Sequence, residues 1–411
     1  MKISRINLAT ALLIIGIIGP GIITASVDND AGGITTYTLI GARFGYSMLW
    51  ALIPVTALLI IVQEMCARMG AVTGKGLADL IRENFGVRWT LVIMIGLVLG
   101  NLFVTVAEFA GIAAVGEIIG VSRYLLIPLI TLLILVSTIK LNYKTMEKFF
   151  FILTFFYISY IISGVLSKPH WGSVMRNLVL PTFSLSRDYI IYFIGFVGTT
   201  ITPWMQFYLQ SSIVEKGITA REYKYSRWDV IIGCIITDVI SFFIIVACAT
   251  TIFANHITIS SVADAAIALR PLAGRFAMEL FVFGFFGASL FGAFILPIST
   301  AFYVSEAFGF ESGVNKRFRE AKAFYSTLII ILLISSSVFL IPHLPLISIM
   351  VAAQVVNGIL IPFVLIIILQ LINNRKIMGD YVNNRWTNIV AWSGSVIIIL
   401  VTVAMVVTTF I

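Results

Sequence analysis

Ser26-Val27-Asp28-Asn29-Asp30-Ala31-Gly32-Gly33 lies inside an otherwise apolar run, and how it interrupts that run decides the fold. The surrounding residues, from about 9 to 40, are long enough to cross a hydrocarbon core of about 30 Å as a helix. Gly32 and Gly33 weaken helix by about 1 kcal/mol each relative to Ala. Two carboxylates in such a place cost about 2.5–3.5 kcal/mol each on insertion scales, so they mark function by default. Further along, Gly198-Thr199-Thr200-Ile201-Thr202-Pro203-Trp204 interrupts a second apolar span. Pro203 there removes a backbone donor and disfavours helix before it. Interrupted helices numbered one and six imply two five-helix repeats of opposite topology, with a binding site between the breaks near mid-membrane.

Composition agrees. The chain is 60% hydrophobic and 11% charged, with a mean hydropathy of +1.05. A soluble domain carries about 25% charged residues, so this chain does not cover itself with a solvated surface. Lipid forces the backbone to satisfy its own hydrogen bonds, as helices or as closed barrels. The apolar runs are continuous rather than alternating, which selects the helical solution.

Eleven spans are expected, over about 9–40, 47–67, 88–115, 123–140, 147–167, 188–212, 228–254, 275–307, 322–341, 345–372 and 387–410. The whole chain, 1–411, then reads as one all-α transmembrane domain. Repeat one covers about 9–167, repeat two about 188–372, and an extra helix about 387–410. With the N-terminus inside, 20 of the 27 Lys and Arg residues fall on the inner side, including Lys2, Arg5, Lys144, Lys148, Lys316 and Arg319. That bias predicts a cytoplasmic N-terminus, an external C-terminus and a multi-pass place in the cell membrane. It also accounts for the net charge of +8 without nucleic acid. Lys2 and Arg5 before an apolar run resemble a signal peptide, but no small-residue cleavage site follows, so the run is expected to stay as the first helix. Cys66, Cys234 and Cys248 read as small packing residues. His170, His256 and His343 are too scattered for a metal cluster.

Asp28 and Asp30 in unwound backbone make a hard oxygen site for a cation; the competing reading is that they cap the second half-helix. Asn29 stands between them as a secondary candidate. Glu108 in the third span and Asp238 in the seventh are each an ion or proton relay or a hydrogen-bonded structural acid. Gln354 and Asn357 share one face of the tenth span as amide ligands. Gln206 and Gln210, after the second break, serve as ligands or bond neighbouring helices. Glu64 and Arg68, at i and i+4, form a structural or gating pair.

Several stretches resemble the Nramp family of metal-ion transporters. Gly19-Pro20-Gly21, Asp30-Ala31-Gly32-Gly33 and Gly41-Ala42-Arg43-Phe44-Gly45-Tyr46 are similar to the family's GPG, DPGN and GAQFGY. Ala67-Arg68-Met69-Gly70-Ala71-Val72-Thr73-Gly74-Lys75 resembles its ARLGIVTGK. Ala107-Glu108 and Ala353-Gln354-Val355-Val356 match its third and tenth spans. The resemblance implies the LeuT-type inverted repeat, import of divalent transition metals, usually with protons, and metal contacts at Asp30, Gln354 and the second break, at Thr199 and Thr202.

The departures have a chemical direction. The family's ligand asparagine is Gly33 here, its methionine falls at Thr202, its following histidine is Trp204, and an acid before the glutamate is Thr105. Loss of the thioether leaves oxygen ligands, which suit hard ions. Gly and Thr in place of longer ligands are expected to enlarge the cavity for an ion that keeps its waters, as Mg²⁺ does. Loss of the histidine and the acid weakens proton coupling. The pattern resembles the Nramp-related magnesium transporters, which implies Mg²⁺ transport, with Mn²⁺ also carried, and no obligatory proton. Beyond the cation and the bilayer, no cofactor, nucleic acid or protein partner is expected.

Three other classes compete. A proton-coupled Mn²⁺/Fe²⁺ transporter of the same family is opposed by the four departures. A sodium-coupled amino-acid symporter needs half-helix N-termini free for a carboxylate, which Asp28 and Asp30 would repel. An enzyme needs a nucleophile–base or metal cluster, and none is found.

Overall fold

A computed structural model describes residues 19–140, 145 and 155–410, side chains of 406–410 excepted. The expected start of the first span at about 9, the basic residues Lys2, Arg5, Lys144 and Lys148, and the opening of the fifth span at 147 lie outside the described residues.

The first span is broken where the sequence turns polar. Helix α1 (Pro20–Ser26) starts at Pro20, whose missing N–H is no loss at a first helical position. A 3₁₀ turn, Val27–Asn29, follows, then extended backbone at Asp30 and helix α2 (Ala31–Phe44). The chain continues as α3 (Leu52–Thr73), α4 (Leu77–Ile119), α5 (Arg123–Lys140), α6 (Ile158–Leu166) and α7 (Trp171–Val179). The sixth span breaks in the same manner: α8 (Arg187–Thr200), non-helical Ile201 and Thr202, then α9 (Pro203–Glu215) opening on Pro203. Next come α10 (Tyr223–Thr251), the four-residue α11 (Arg270–Ala273), α12 (Ala277–Phe308), α13 (Lys322–Ser337), α14 (Leu346–Ile372), α15 (Arg375–Met378) and α16 (Arg385–Phe410).

Among the described residues, nine helical segments are long and apolar enough to cross a membrane. The broken first span and the partly described fifth complete the expected eleven. Two inner segments expected as loop are helical. Residues 68–73 extend α3, and 77–85 form the opening stretch of α4, which kinks at Gly86, where φ is 76°. The seventh span starts at Tyr223 rather than 228.

The broken helices sit at the centre. Segment Arg187–Glu215 is almost wholly enclosed, whereas Arg385–Met405 faces largely outward. Helix α4 packs on α12 and α14, α8 on α14, and α10 on α1, α2 and α3. Large apolar side chains such as Leu125, Phe283, Phe363 and Leu400 stand exposed on outer faces. That pattern suits lipid rather than water as the surrounding solvent.

Candidate functional site

The two breaks meet. The Thr199 hydroxyl, near the end of α8, donates to the Asp28 carbonyl at 3.4 Å. Asp28, Asp30, Thr199, Thr202 and Gln354 are all buried, none exposing more than 2% of its surface. Half-helix ends leave backbone carbonyls and N–H groups without helical partners, which is how such breaks bind ions.

The two acids divide the readings left open for them. Asp30 is the cap of α2: its carboxylate accepts the Gly33 N–H at 2.6 Å. Glu108 reaches the same helix start: its Oε2 accepts the Ala31 N–H at 3.2 Å, and its Oε1 has no partner among the described residues. Asp28 is the contrast. Both of its carboxylate oxygens are buried with no hydrogen-bond partner among the described residues. The Thr202 hydroxyl, facing the second break from the α9 cap, is buried and unpartnered too.

Other candidates take structural roles. Asn29 turns to α10, where its amide donates to the Thr237 hydroxyl at 2.8 Å and accepts from Ser241 at 3.1 Å. Its carbonyl accepts the Tyr157 hydroxyl at 2.7 Å. With every group engaged, Asn29 pins the break rather than lining it. Gln206 donates back to the Thr202 carbonyl at 3.3 Å, and Gln210 to the Lys75 carbonyl at 2.9 Å. In Gln354, Oε1 accepts from Asn357 at 3.1 Å, and Nε2 has no partner among the described residues. Thr105, where an acid was missed, bonds the Asn101 carbonyl of its own helix at 2.7 Å. Glu64 and Arg68 do pair, at 3.1 Å, and Arg68 also holds the Tyr381 carbonyl at 3.0 Å.

One expectation is reversed by geometry. A Cβ built on Gly33 would stand 2.0 Å from the Asp28 carbonyl oxygen and 3.0 Å from Thr199 Oγ1. Glycine here does not open a cavity; it lets the 3₁₀ turn fold down against α2. Gly32 plays the same part for Gln354, whose Nε2 would lie 2.0 Å from a Cβ at that position.

Sequence reading missed Asp229. Its carboxylate accepts the N–H groups of Gly19 at 3.1 Å and Gly21 at 2.7 Å, so α10 caps α1 across 208 residues of chain. Pro203 signals the second break locally, but nothing near Asp229 in the chain points to Gly19. Tyr37 was also missed; its hydroxyl meets Thr200 Oγ1 at 2.9 Å beside the site. Among the described residues no group of three or more His, Cys, Asp or Glu side chains is placed to hold a metal alone. Carbonyls, hydroxyls and water would therefore complete any shell built on these acids.

Comparison with known proteins places these features. A family profile described as Nramp, natural resistance-associated macrophage protein-like, matches residues 21–408. A relative named divalent metal cation transporter MntH from Klebsiella pneumoniae is 27% identical, over 92% of this chain and 91% of its own. The protein of that name from Bacillus subtilis is 26% identical, over 96% and 92%. In fold, the Eremococcus coleocola manganese transporter superposes with a TM-score of 0.75 at 18% identity, covering 99% of this chain and 90% of its own. MhsT, solved in complex with L-phenylalanine, gives 0.59 at 15% identity over 95% and 97%. Mhp1 in an inward-facing conformation gives 0.58 at 13% identity over 95% and 91%. The fold is thus the LeuT-type helical transporter fold with broken first and sixth spans.

Proposed function

The chain belongs to the Nramp family, and on that premise we propose that it moves divalent metal cations across the cell membrane by alternating access, Mg²⁺ first and Mn²⁺ with it. The observation that carries the reading is the pairing of the two breaks around Asp28 and Asp30, with the Asp28 carboxylate and the Thr202 hydroxyl buried and unpartnered. Carboxylates, hydroxyls and freed carbonyls form an all-oxygen donor set. Such a set suits Mg²⁺ and Mn²⁺ and gives no advantage to softer ions. The preference for Mg²⁺ rests on this donor chemistry at Thr202 and not on a larger cavity at Gly33.

Transport needs no proton. An inward-negative potential favours entry of a divalent ion by about 4.6 kcal/mol per 100 mV, twice the single-charge value. Trp204 in place of a histidine and Thr105 in place of an acid leave few groups to carry one. The orientation supported by the basic residues puts the N-terminus in the cytoplasm, and the repeats run over about 9–167 and 188–372. A second reading, proton-coupled Mn²⁺ transport, draws on one observation: Glu108 is buried beside the first break, bonded to the Ala31 N–H at 3.2 Å, with its other carboxylate oxygen unpartnered among the described residues.

The deciding experiment is ion entry into proteoliposomes at a fixed potential, with a Mg²⁺-sensitive dye and luminal pH read together. Mg²⁺ entry without acidification is expected. Mn²⁺ entry with proportional acidification, and no Mg²⁺ entry, selects the second reading. Asp30→Ala is expected to abolish entry while the protein remains monodisperse; retained entry would remove Asp30 from the site.

A further inference from the structure

Asp238 has no part in the site described so far, yet it is the other buried acid that lacks any partner. Neither of its carboxylate oxygens finds a hydrogen bond among the described residues, and it exposes only 5% of its surface. Thr56 lies alongside, but its hydroxyl is donated to the Leu52 carbonyl at 2.6 Å. Thr237, next to Asp238, and Asn29, next to Asp28, are hydrogen-bonded at 2.8 Å, so the two acids flank one contact between α10 and the first break. None of the ion pairs found among the described residues brings a Lys or Arg to either acid.

The helix that carries Asp238 is tied to the first break on both sides of it. The Thr237 hydroxyl donates to the Ala25 carbonyl at 2.6 Å and accepts from Asn29, and Ser241 donates to Asn29 at 3.1 Å. Asp229 caps α1 from the same helix. The backbone segments that carry Asp28 and Asp238 are thus held against each other by this frame. Buried carboxylates without hydrogen bonds are costly unless paired or bound to a metal.

The geometry points to a second divalent-cation subsite, formed by the carboxylates of Asp28 and Asp238 on the α10 side of the first break. It rests on the cation-transport reading above and extends it. Two carboxylates balance the charge of one divalent ion. With two side-chain ligands, a Mg²⁺ or Mn²⁺ ion there retains several waters, as Mg²⁺ does where few carboxylates hold it. Asp28 is shared, so the ion occupies either the Asp30 side or the Asp238 side and passes from one to the other.

The test is saturable Mn²⁺ binding to the full-length protein in micelles, read from the loss of the free aquo-ion signal in electron paramagnetic resonance. Uptake by proteoliposomes is measured alongside. Asp30→Asn is expected to retain binding, weakened about tenfold, the loss that 1.4 kcal/mol represents. Asp238→Asn should also bind weakly and transport poorly. The variant carrying both changes should not bind. Asp238→Glu, which keeps the charge, should bind, and this separates loss of a ligand from loss of the fold. The subsite is overturned if Asp30→Asn alone removes all saturable binding, or if Asp238→Asn binds and transports as the unaltered protein does. Normal uptake by Asp30→Asn with loss in Asp238→Asn would instead refute the central role of Asp30 and leave the subsite standing.

Discussion

At Thr202 a single side chain decides what the site prefers. Its hydroxyl is buried and unpartnered at the cap of α9, where a hard ion gains an oxygen and a soft one gains nothing. Thr202→Met would set a polarizable thioether in that place. We expect Cd²⁺ to compete with Mg²⁺ uptake at least tenfold more effectively in this variant, measured as the concentration that halves uptake; unchanged competition would place Thr202 outside the shell. Gly33 shows why the ligand set cannot be exchanged piecemeal. Asn at 33 would drive its Cβ into the Asp28 carbonyl, 2.0 Å away. Overpacking of this kind costs about 1–3 kcal/mol. Gly33→Asn should lower the melting temperature and transport together, and a variant as stable as the parent would show that the turn gives way easily. Asp28 and Asp30 are neighbours in type and sequence, yet one caps a helix and the other has no partner. Nothing in the pattern Asp-Asn-Asp assigns those parts, because the capping geometry depends on which residue takes the extended backbone.

Among the four half-helices of the broken spans, α1 is the weakest by its own means. Seven residues are too few to hold a helix in isolation. Its anchorage is tertiary: Asp229 on two N–H groups, Thr237 on the Ala25 carbonyl, and close backbone approach of Gly21 to Val230, where a Cβ would stand 2.6 Å from the Val230 nitrogen. Hydrogen bonds to a charged group contribute about 1.5–3 kcal/mol. Asp229→Ala should therefore loosen α1 without unfolding the bundle, raising amide exchange over residues 19–26 more than tenfold while exchange in α12 stays unchanged. Uniform loss of protection would mean that Asp229 supports the whole fold instead. The breaks themselves were legible, since Pro203 and the polar run 26–33 mark them locally, although Gly32 and Gly33 fall in the first turn of α2 and not in the break itself. The helical stretch over 77–85 was not, because its polar residues read as loop until Arg82 finds the Glu306 carbonyl and Asp79.

For the molecule as a whole, the open matter is which face is cytoplasmic. The three cysteines are buried and free, so a cysteine introduced at the surface reports alone. Arg319→Cys should react with an impermeant maleimide only after the cytoplasmic face is opened, and Arg270→Cys in intact cells. The reverse result would invert the transporter and the direction in which the membrane potential drives it. The outer helix α16 shows the opposite of the centre: most of its side chains face outward, and its inner side packs on α8 and α14.

Chain order and composition alone determined the membrane-spanning class, the span count, the two breaks and the family resemblance. All of these follow from hydropathy, proline and glycine, whose effects act within a few residues. Tertiary structure alone decided that Asn29 is a pin, that Gly33 closes space rather than opening it, and that Asp229 and Asp238 bear on the first span. The contacts of Asn29 and Asp229 join residues far apart in the chain, and burial either gives a polar atom partners or leaves it without. Which of the two it is depends on packing, and packing has no period in the sequence.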